Sequence, residues 1–256
     1  LGGSADLAPS TLTYMDGEGD FSKENRDGRN LHFGVREHAM AAIANGITIH
    51  GGLRIFVSTY LVFSDYMKAA MRMSALMKLP VIYILTHDSI GVGEDGPTHE
   101  PVEQLLGLRG IPNLTVIRPA DGIETAYTWK YALEKKDAPT AIVLTRQSVP
   151  SYKITGKDCL KGAYVLKETS ENPEILLMAS GSEVELIYEA QKELLNIGVN
   201  SRIVSVPSFE IFEEQSEEYK EKVMPRSIRK RVAVEASNSL AWYKYVGIYG
   251  KVIGMD

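Results

Sequence analysis

PVIYILTHDSIGVGEDGPTHEP, residues 80–101, opens on a short apolar run and passes directly into a crowded polar loop. Residues 81–85 are aliphatic or aromatic throughout, bounded by Pro80 on one side and by polar residues from Thr86 on the other. Five residues suit a strand, and a run without polar alternation suits one buried on both faces, as in a parallel sheet. Residues 86–101 then gather two His, two Asp, two Glu, three Gly and two Pro. A loop that only joined two elements would be shorter and plainer. Loops at the ends of sheet strands are where α/β folds build their sites.

Working outward, residues 114–117 and 140–144 read as strands of the same kind, with a helix over 122–136 between them. Alternation of strand and helix predicts a parallel α/β sheet. Upstream, residues 36–46 and 63–77 are rich in Ala and Met and read as helices. Over residues 147–156 the pattern breaks at Pro150, Ser151 and Gly156, a linker-like stretch. A second set follows: strand 175–179, helix 182–196 with Ser182 as its cap, strand 203–206, helix 217–223, strand 232–234 and helix 240–245. The expected fold class is α/β, with two domains, 1–150 and 151–256, each a mainly parallel sheet flanked by helices. No internal repeat or low-complexity segment stands out.

Hydrophobic residues make up 44% and charged residues 24% of the 256, the balance of a soluble globular protein. The net charge of −5 argues against a general nucleic-acid binder, which needs a positive excess to displace counterions. It leaves room for a small anionic substrate held by a few local cations. One cysteine, Cys159, excludes an internal disulfide framework and a cysteine-based metal site, and suits a reducing cytoplasm. No apolar run approaches a membrane span, and no signal peptide is expected. The first residue is Leu1 and the last segment is VIGMD, so both ends look cut from something longer.

Several residues carry candidate chemistry. Glu37, in GVREHAM (residues 34–40), precedes a helical apolar run. The plain reading is a solvated acid favoured by the helix dipole; the sharper one is a partly buried carboxylate with a tuned pKa. Tyr60, Phe63 and Tyr66 recur every three residues at the start of the expected helix, as a core stripe or as a pocket for a flat ring. His87 and His99 flank GVGEDGP; their spacing fits no common zinc pattern, and no Gly-Lys-Ser/Thr makes a P-loop. A substrate loop is more economical, with imidazoles for phosphate or hydroxyl oxygens and Asp95 as a hydroxyl acceptor. Arg146 follows the apolar run 140–144 and is either solvated or placed to grip an anion at the carboxyl edge of the sheet.

Taken together, GGSADLAPS (2–10), HFGVREHAM (32–40), THDSIGVGEDGPTHEP (86–101), LTRQSVP (144–150) and ASGSEVEL (179–186) closely resemble transketolase, in the family's order across nearly the whole chain. The resemblance covers the family's pyrimidine-binding domain and most of its C-terminal domain. It implies ketol transfer between sugar phosphates with thiamine diphosphate, held with Mg2+ or Ca2+ by ligands outside this chain. Glu37 matches the glutamate that bonds N1′ of the aminopyrimidine. Tyr60, Phe63 and Tyr66 match its aromatic pocket, and Asp6 and Leu7 resemble cofactor-adjacent positions. Ser10, His87 and Arg146 match the phosphate-holding residues, Asp95 a hydroxyl-recognising carboxylate, and His99 a histidine beside the reacting carbons. Where the family commonly has Gly after the REH triplet, this chain has Ala39.

The resemblance also implies a homodimer and an N-terminal diphosphate-binding domain as partner, with neither nucleic acid nor membrane. The Gly-Asp-Gly segment by which that domain holds the diphosphate is not in the sequence, so the chain alone is expected to be inactive. Alternatives are the separate C-terminal subunit of a split transketolase, dihydroxyacetone synthase, deoxyxylulose-phosphate synthase, or a 2-oxoacid dehydrogenase β-subunit. The paired histidines of THDS and GEDGPTHEP favour transketolase over the last two.

Overall fold

Six strands, β1 (Gly2–Ser4), β2 (Asn30–His32), β3 (Phe56–Tyr60), β4 (Ile82–Thr86), β5 (Thr115–Ile117) and β6 (Thr140–Val143), form one sheet in the order β2-β1-β3-β4-β6-β5. The structure is a computed structural model that describes residues 1–256. The pairings of β1 with β2 and β3, of β3 with β4 and of β4 with β6 are all parallel. From β1 the chain goes first to one side, to β2, and then to the other, to β3. That reversal leaves a crevice at the carboxyl edge of the sheet.

The chain divides into two compact units, Leu1–Thr115 with Ala132–Arg146, and Val116–Tyr131 with Gln147–Asp256. In the first, β4 is buried at every position, as its unbroken apolar run requires. Besides the short α1 (Ala8–Thr11), the first unit has the helices α2 (Glu37–His50), α3 (Ser64–Leu76) and α4 (Gln104–Arg109). Alanines favour α2, and Gly51, at φ +83°, ends it. Helix α3 buries Met67, Ala70, Met71, Ser74 and Ala75, one stripe at helical spacing. Trimming the fully buried Met71 to Ala would cost about 2–5 kcal/mol. Helices α2 and α3 pack together. Buried Asn45 fixes their register by donating to the Ala70 carbonyl at 3.0 Å and accepting from the Ser74 hydroxyl.

In the second unit, β7 (Tyr164–Glu168), β8 (Ile175–Ala179), β9 (Ser201–Ser205), β10 (Lys230–Val234) and β11 (Lys251–Ile253) form a sheet in the order β11-β10-β8-β9-β7. All its pairings are parallel except that of β7 with β9. Most of helix α5 (Gly122–Glu134) belongs here, with α6 (Glu183–Asn196), α7 (Phe209–Glu213), α8 (Glu217–Val223) and α9 (Tyr243–Val246). The two-domain α/β fold with mainly parallel sheets is thus present.

The segment Val116–Tyr131 enters this second unit through buried polar groups. Arg118, 1% exposed, pairs with Glu183 and lies 3.8 Å from Glu235, whose other oxygen accepts from Trp242 Nε1 at 2.8 Å. A Cβ at Gly181 would come within 2.7 Å of the Arg118 guanidinium, so only glycine lets the β8–α6 turn pass this close. Glu124, fully buried, accepts from the Ala120 amide and the Tyr164 and Ser205 hydroxyls, each at 2.7 Å. Burial raises its pKa despite those donors.

Three local expectations change. Tyr60 ends the strand β3 rather than starting a helix; the β-branched and aromatic run FVSTY favours extension, and the helix begins only at Ser64. Ser182 does not cap α6: its backbone is already helical, and its hydroxyl donates to Glu183. Residues 239–242 make a 3₁₀ turn before α9 begins.

Candidate functional site

Residues from β3, from the turn after β1 and from the segments after β4 and β6 meet at a cleft of ≈ 600 Å³ on the carboxyl edge of the first sheet. Its lining includes Ser10, Tyr60, His87, Asp95 and Arg146. Such convergence follows from the topology, because parallel strands deliver every following loop to the same edge.

His87 follows β4 directly and adopts φ +57°, a left-handed conformation that histidine tolerates better than most residues. Its ring stacks on Tyr60, with centroids 3.7 Å apart and planes 16° apart, and its Nδ1 lies 2.9 Å from the Thr86 hydroxyl. With Nδ1 accepting from that hydroxyl, Nε2 carries the proton and is a donor. Burial lowers the His87 pKa, and the Arg146 charge acts in the same direction, against Asp95 and Asp88. Asp95 and Arg146 are exposed.

The rings continue beyond the cleft lining. Phe63 lies parallel to Tyr60 at 5.8 Å and 6°, and Tyr66 meets Phe63 at 6.2 Å. His99 sets its ring at 75° to Phe63, at 5.4 Å. Tyr66 is largely exposed.

A set of buried and half-buried hydroxyls seats the turn between β1 and the residues after α1 on β3. Ser4 Oγ donates to the Ser58 carbonyl at 3.0 Å and accepts from the Leu7 amide at 3.2 Å. Thr11 Oγ1 donates to the Leu7 carbonyl at 2.9 Å. Ser58 Oγ lies 2.7 Å from Thr13 Oγ1 and 3.2 Å from Thr11 Oγ1. This holds Ser10 at the cleft. Asp6, at φ +66°, instead lines a neighbouring cleft of ≈ 380 Å³ with Tyr14, His32 and Gly34; Pro9 lines both.

Glu37 is the first residue of α2 and only 7% exposed. Its carboxylate has no hydrogen-bond partner in the chain, although the helix N-terminus favours an anion there. A carboxylate this buried and unpaired is suited to a ligand donor. Neither Glu37 nor Leu7 lines the larger cleft; Leu7 contributes its backbone to the hydroxyl set. No group of three or more His, Cys, Asp or Glu is placed to hold a metal ion. Reasoning from sequence missed Ser58, Thr11 and Thr13, and the available signal was three hydroxyl or aromatic residues closing the strand run FVSTY.

A doubly wound parallel sheet with a ring-walled, cation-bearing cleft at its carboxyl edge defines a ligand-binding α/β domain. Comparison with known sequences narrows the class. The family "Transketolase, pyrimidine binding domain" matches residues 1–151, and "Transketolase-like TK C-terminal domain" matches residues 162–256. The chain belongs to the transketolase family. It is 54% identical to a transketolase of Bacillus subtilis, covering 100% of this chain and 39% of that protein. Transketolase from Leishmania mexicana superposes with a TM-score of 0.96 at 42% identity, over 100% of this chain and 38% of the other. A chain described as "Split gene transketolase, inactive beta4 tetramer" superposes at 0.76 and 24% identity, over 100% of this chain and 82% of the other, a likeness of fold alone. The chain therefore spans about 39% of the length of the curated relatives it matches.

Proposed function

We propose that this chain supplies the aminopyrimidine and sugar-phosphate side of a transketolase site. The complete enzyme moves a two-carbon ketol unit from a ketose phosphate to an aldose phosphate. Thiamine diphosphate, when bound, supplies a nucleophilic carbon and takes up the electron pair released as a carbon–carbon bond breaks.

The chain's residues fit that group at its ring end. Glu37, buried and without a partner, shares a proton with N1′ of the aminopyrimidine and so tunes the basicity of the amino group across the ring. Tyr60, Phe63 and Tyr66 wall the ring, and Asp6 and Leu7 lie beside it. His87 donates from Nε2 to the substrate phosphate, joined by the Ser10 hydroxyl and the Arg146 guanidinium. Asp95 accepts from a sugar hydroxyl. His99 stands beside the reacting carbons, its edge against Phe63.

The observation that carries this reading is the gathering of Ser10, Tyr60, His87, Asp95 and Arg146 at one cleft. Ligands for Mg2+ or Ca2+ and the diphosphate are assigned to an N-terminal diphosphate-binding domain, and the working enzyme to a cytoplasmic homodimer. The test is a ketol-transfer assay with magnesium and excess cofactor. Turnover is expected only after the purified chain is combined with a diphosphate-binding chain. Turnover by this chain alone, or none in the combination, overturns the proposal.

A further inference from the structure

The long polar loop between β4 and α4 is tied to the start of α3 at its far end by one buried side chain. Gln104, the first residue of α4, is 5% exposed. Its Oε1 accepts from the Val102 amide at 3.0 Å, holding the last turn of the loop. Its Nε2 donates to Asp65 Oδ2 at 2.7 Å and to Glu103 Oε1 at 3.2 Å. Both amide protons and the carbonyl are thus in use. Asp65 sits in the first turn of α3, between Phe63 and Tyr66. Five residues before Gln104, the same loop touches the same helix start again, where the His99 ring meets the edge of Phe63.

We infer that Gln104 is a positioning residue: through Asp65 it sets the loop that carries Asp95 and His99 against the aromatic residues at the start of α3. The inference rests on the proposed transketolase site for its functional meaning, and on the hydrogen bonds alone for its structural meaning. Such a bridge matters because the loop tip is exposed, with Asp95 in solvent, so its position is set by the fastenings nearer the loop's ends, of which this is one. The bridge also discriminates charge. A carboxylate at position 104 keeps the bond from the Val102 amide but faces the Asp65 and Glu103 carboxylates without a proton to share.

The test has two arms. Hydrogen–deuterium exchange on this chain reads the loop directly and does not depend on any activity. Gln104→Glu at pH 8 is expected to speed exchange over residues 87–103 about tenfold or more, with the exchange of β3 and β4 unchanged. Lowering the pH to 5 partly restores protection relative to the parent chain at the same pH, because a shared proton rebuilds the bridge. Gln104→Glu combined with Asp65→Asn restores most of it at both pH values, since the new amide donates where the old one did and the exposed Glu103 carboxylate can turn into solvent.

In the assembled enzyme, the Gln104→Glu variant is expected to lose about tenfold in kcat/KM for the ketose phosphate, with cofactor affinity retained and the loss reversed in the double variant. Unchanged loop exchange in Gln104→Glu, or no rescue by Asp65→Asn, overturns the inference. Changed exchange with unchanged kinetics keeps the clamp but removes its role in positioning. Failure of the parent assembly to turn over counts against the proposed function and leaves the exchange result standing.

Discussion

At the scale of single residues, Glu37 and His87 make the sharpest demands. Both are nearly buried, and each keeps a polar atom without a partner in the chain. On the proposed reading, Glu37→Gln preserves shape and a hydrogen bond to N1′ but cannot share a proton in the same way. Deuterium exchange at C2 of the bound cofactor, measured in the assembled enzyme, is expected to fall by about 100-fold or more, with a smaller change in cofactor affinity. Unchanged exchange would leave the glutamate a structural role only. His87 gives a prediction with a sign. Its folded pKa lies below the ordinary 6.5, so the unfolded chain binds the proton first as pH falls. Its contribution to stability is present above about pH 6.5 and is lost as pH drops through that value toward the lower folded pKa. His87→Asn keeps a residue that tolerates positive φ and removes the titration. Between pH 7.5 and 5.5, urea unfolding should show the parent chain losing more stability than the variant.

At the scale of elements, the turn after β1 depends on hydroxyls from β3. Ser58→Ala removes the hydroxyl that meets Thr11 and Thr13, and is expected to cost about 1–3 kcal/mol in urea unfolding. Faster amide exchange over residues 4–13 should accompany the loss; a stability change without it would place the effect elsewhere. The same strands show where sequence reasoning ran out. Strand β4 was legible because it is a five-residue apolar run buried on both faces. Strand β1 was not, because it reads Gly-Gly-Ser. A Cβ at Gly2 would fall 2.0 Å from the Phe56 ring, and one at Gly3 would fall 2.1 Å from the Leu31 carbonyl oxygen. Glycine is required there by close approach and carries no strand propensity. Strands β2 (Asn-Leu-His) and β11 (Lys-Val-Ile) are three residues long and polar at one or both ends, so no apolar run marks them as residues 114–117 mark β5. Tyr60, Phe63 and Tyr66 looked like one helical stripe because a strand end followed by a tight turn places aromatics at the same spacing.

At the scale of the whole molecule, the mainly parallel character of both sheets was legible from the apolar runs of β4 to β6 and β8 to β10, whereas β3 and the antiparallel β7 were not foreseen. One contribution within the second unit was not legible either. The segment Val116–Tyr131 joins that unit through Arg118, Asp121 and Glu124, and nothing local in the sequence marks such long-range partners. The candidate site was legible mainly through family resemblance, since each residue on its own had an ordinary alternative. The chain spans 39% of its Bacillus subtilis relative; its cleft brings together Ser10, Tyr60, His87, Asp95 and Arg146, and the buried carboxylate of Glu37 lies outside that lining. Rings and a carboxylate suit the aminopyrimidine. The diphosphate and its metal need a charge-assisted cluster that the proposal assigns to another domain, and such a cluster is worth several kcal/mol, at about 1.4 kcal/mol per tenfold in affinity. Calorimetric titration of thiamine diphosphate with magnesium, into this chain alone and into the chain combined with a diphosphate-binding chain, tests that division directly. Micromolar binding is expected only in the combination; micromolar binding to this chain alone, or no binding in the combination, would contradict it.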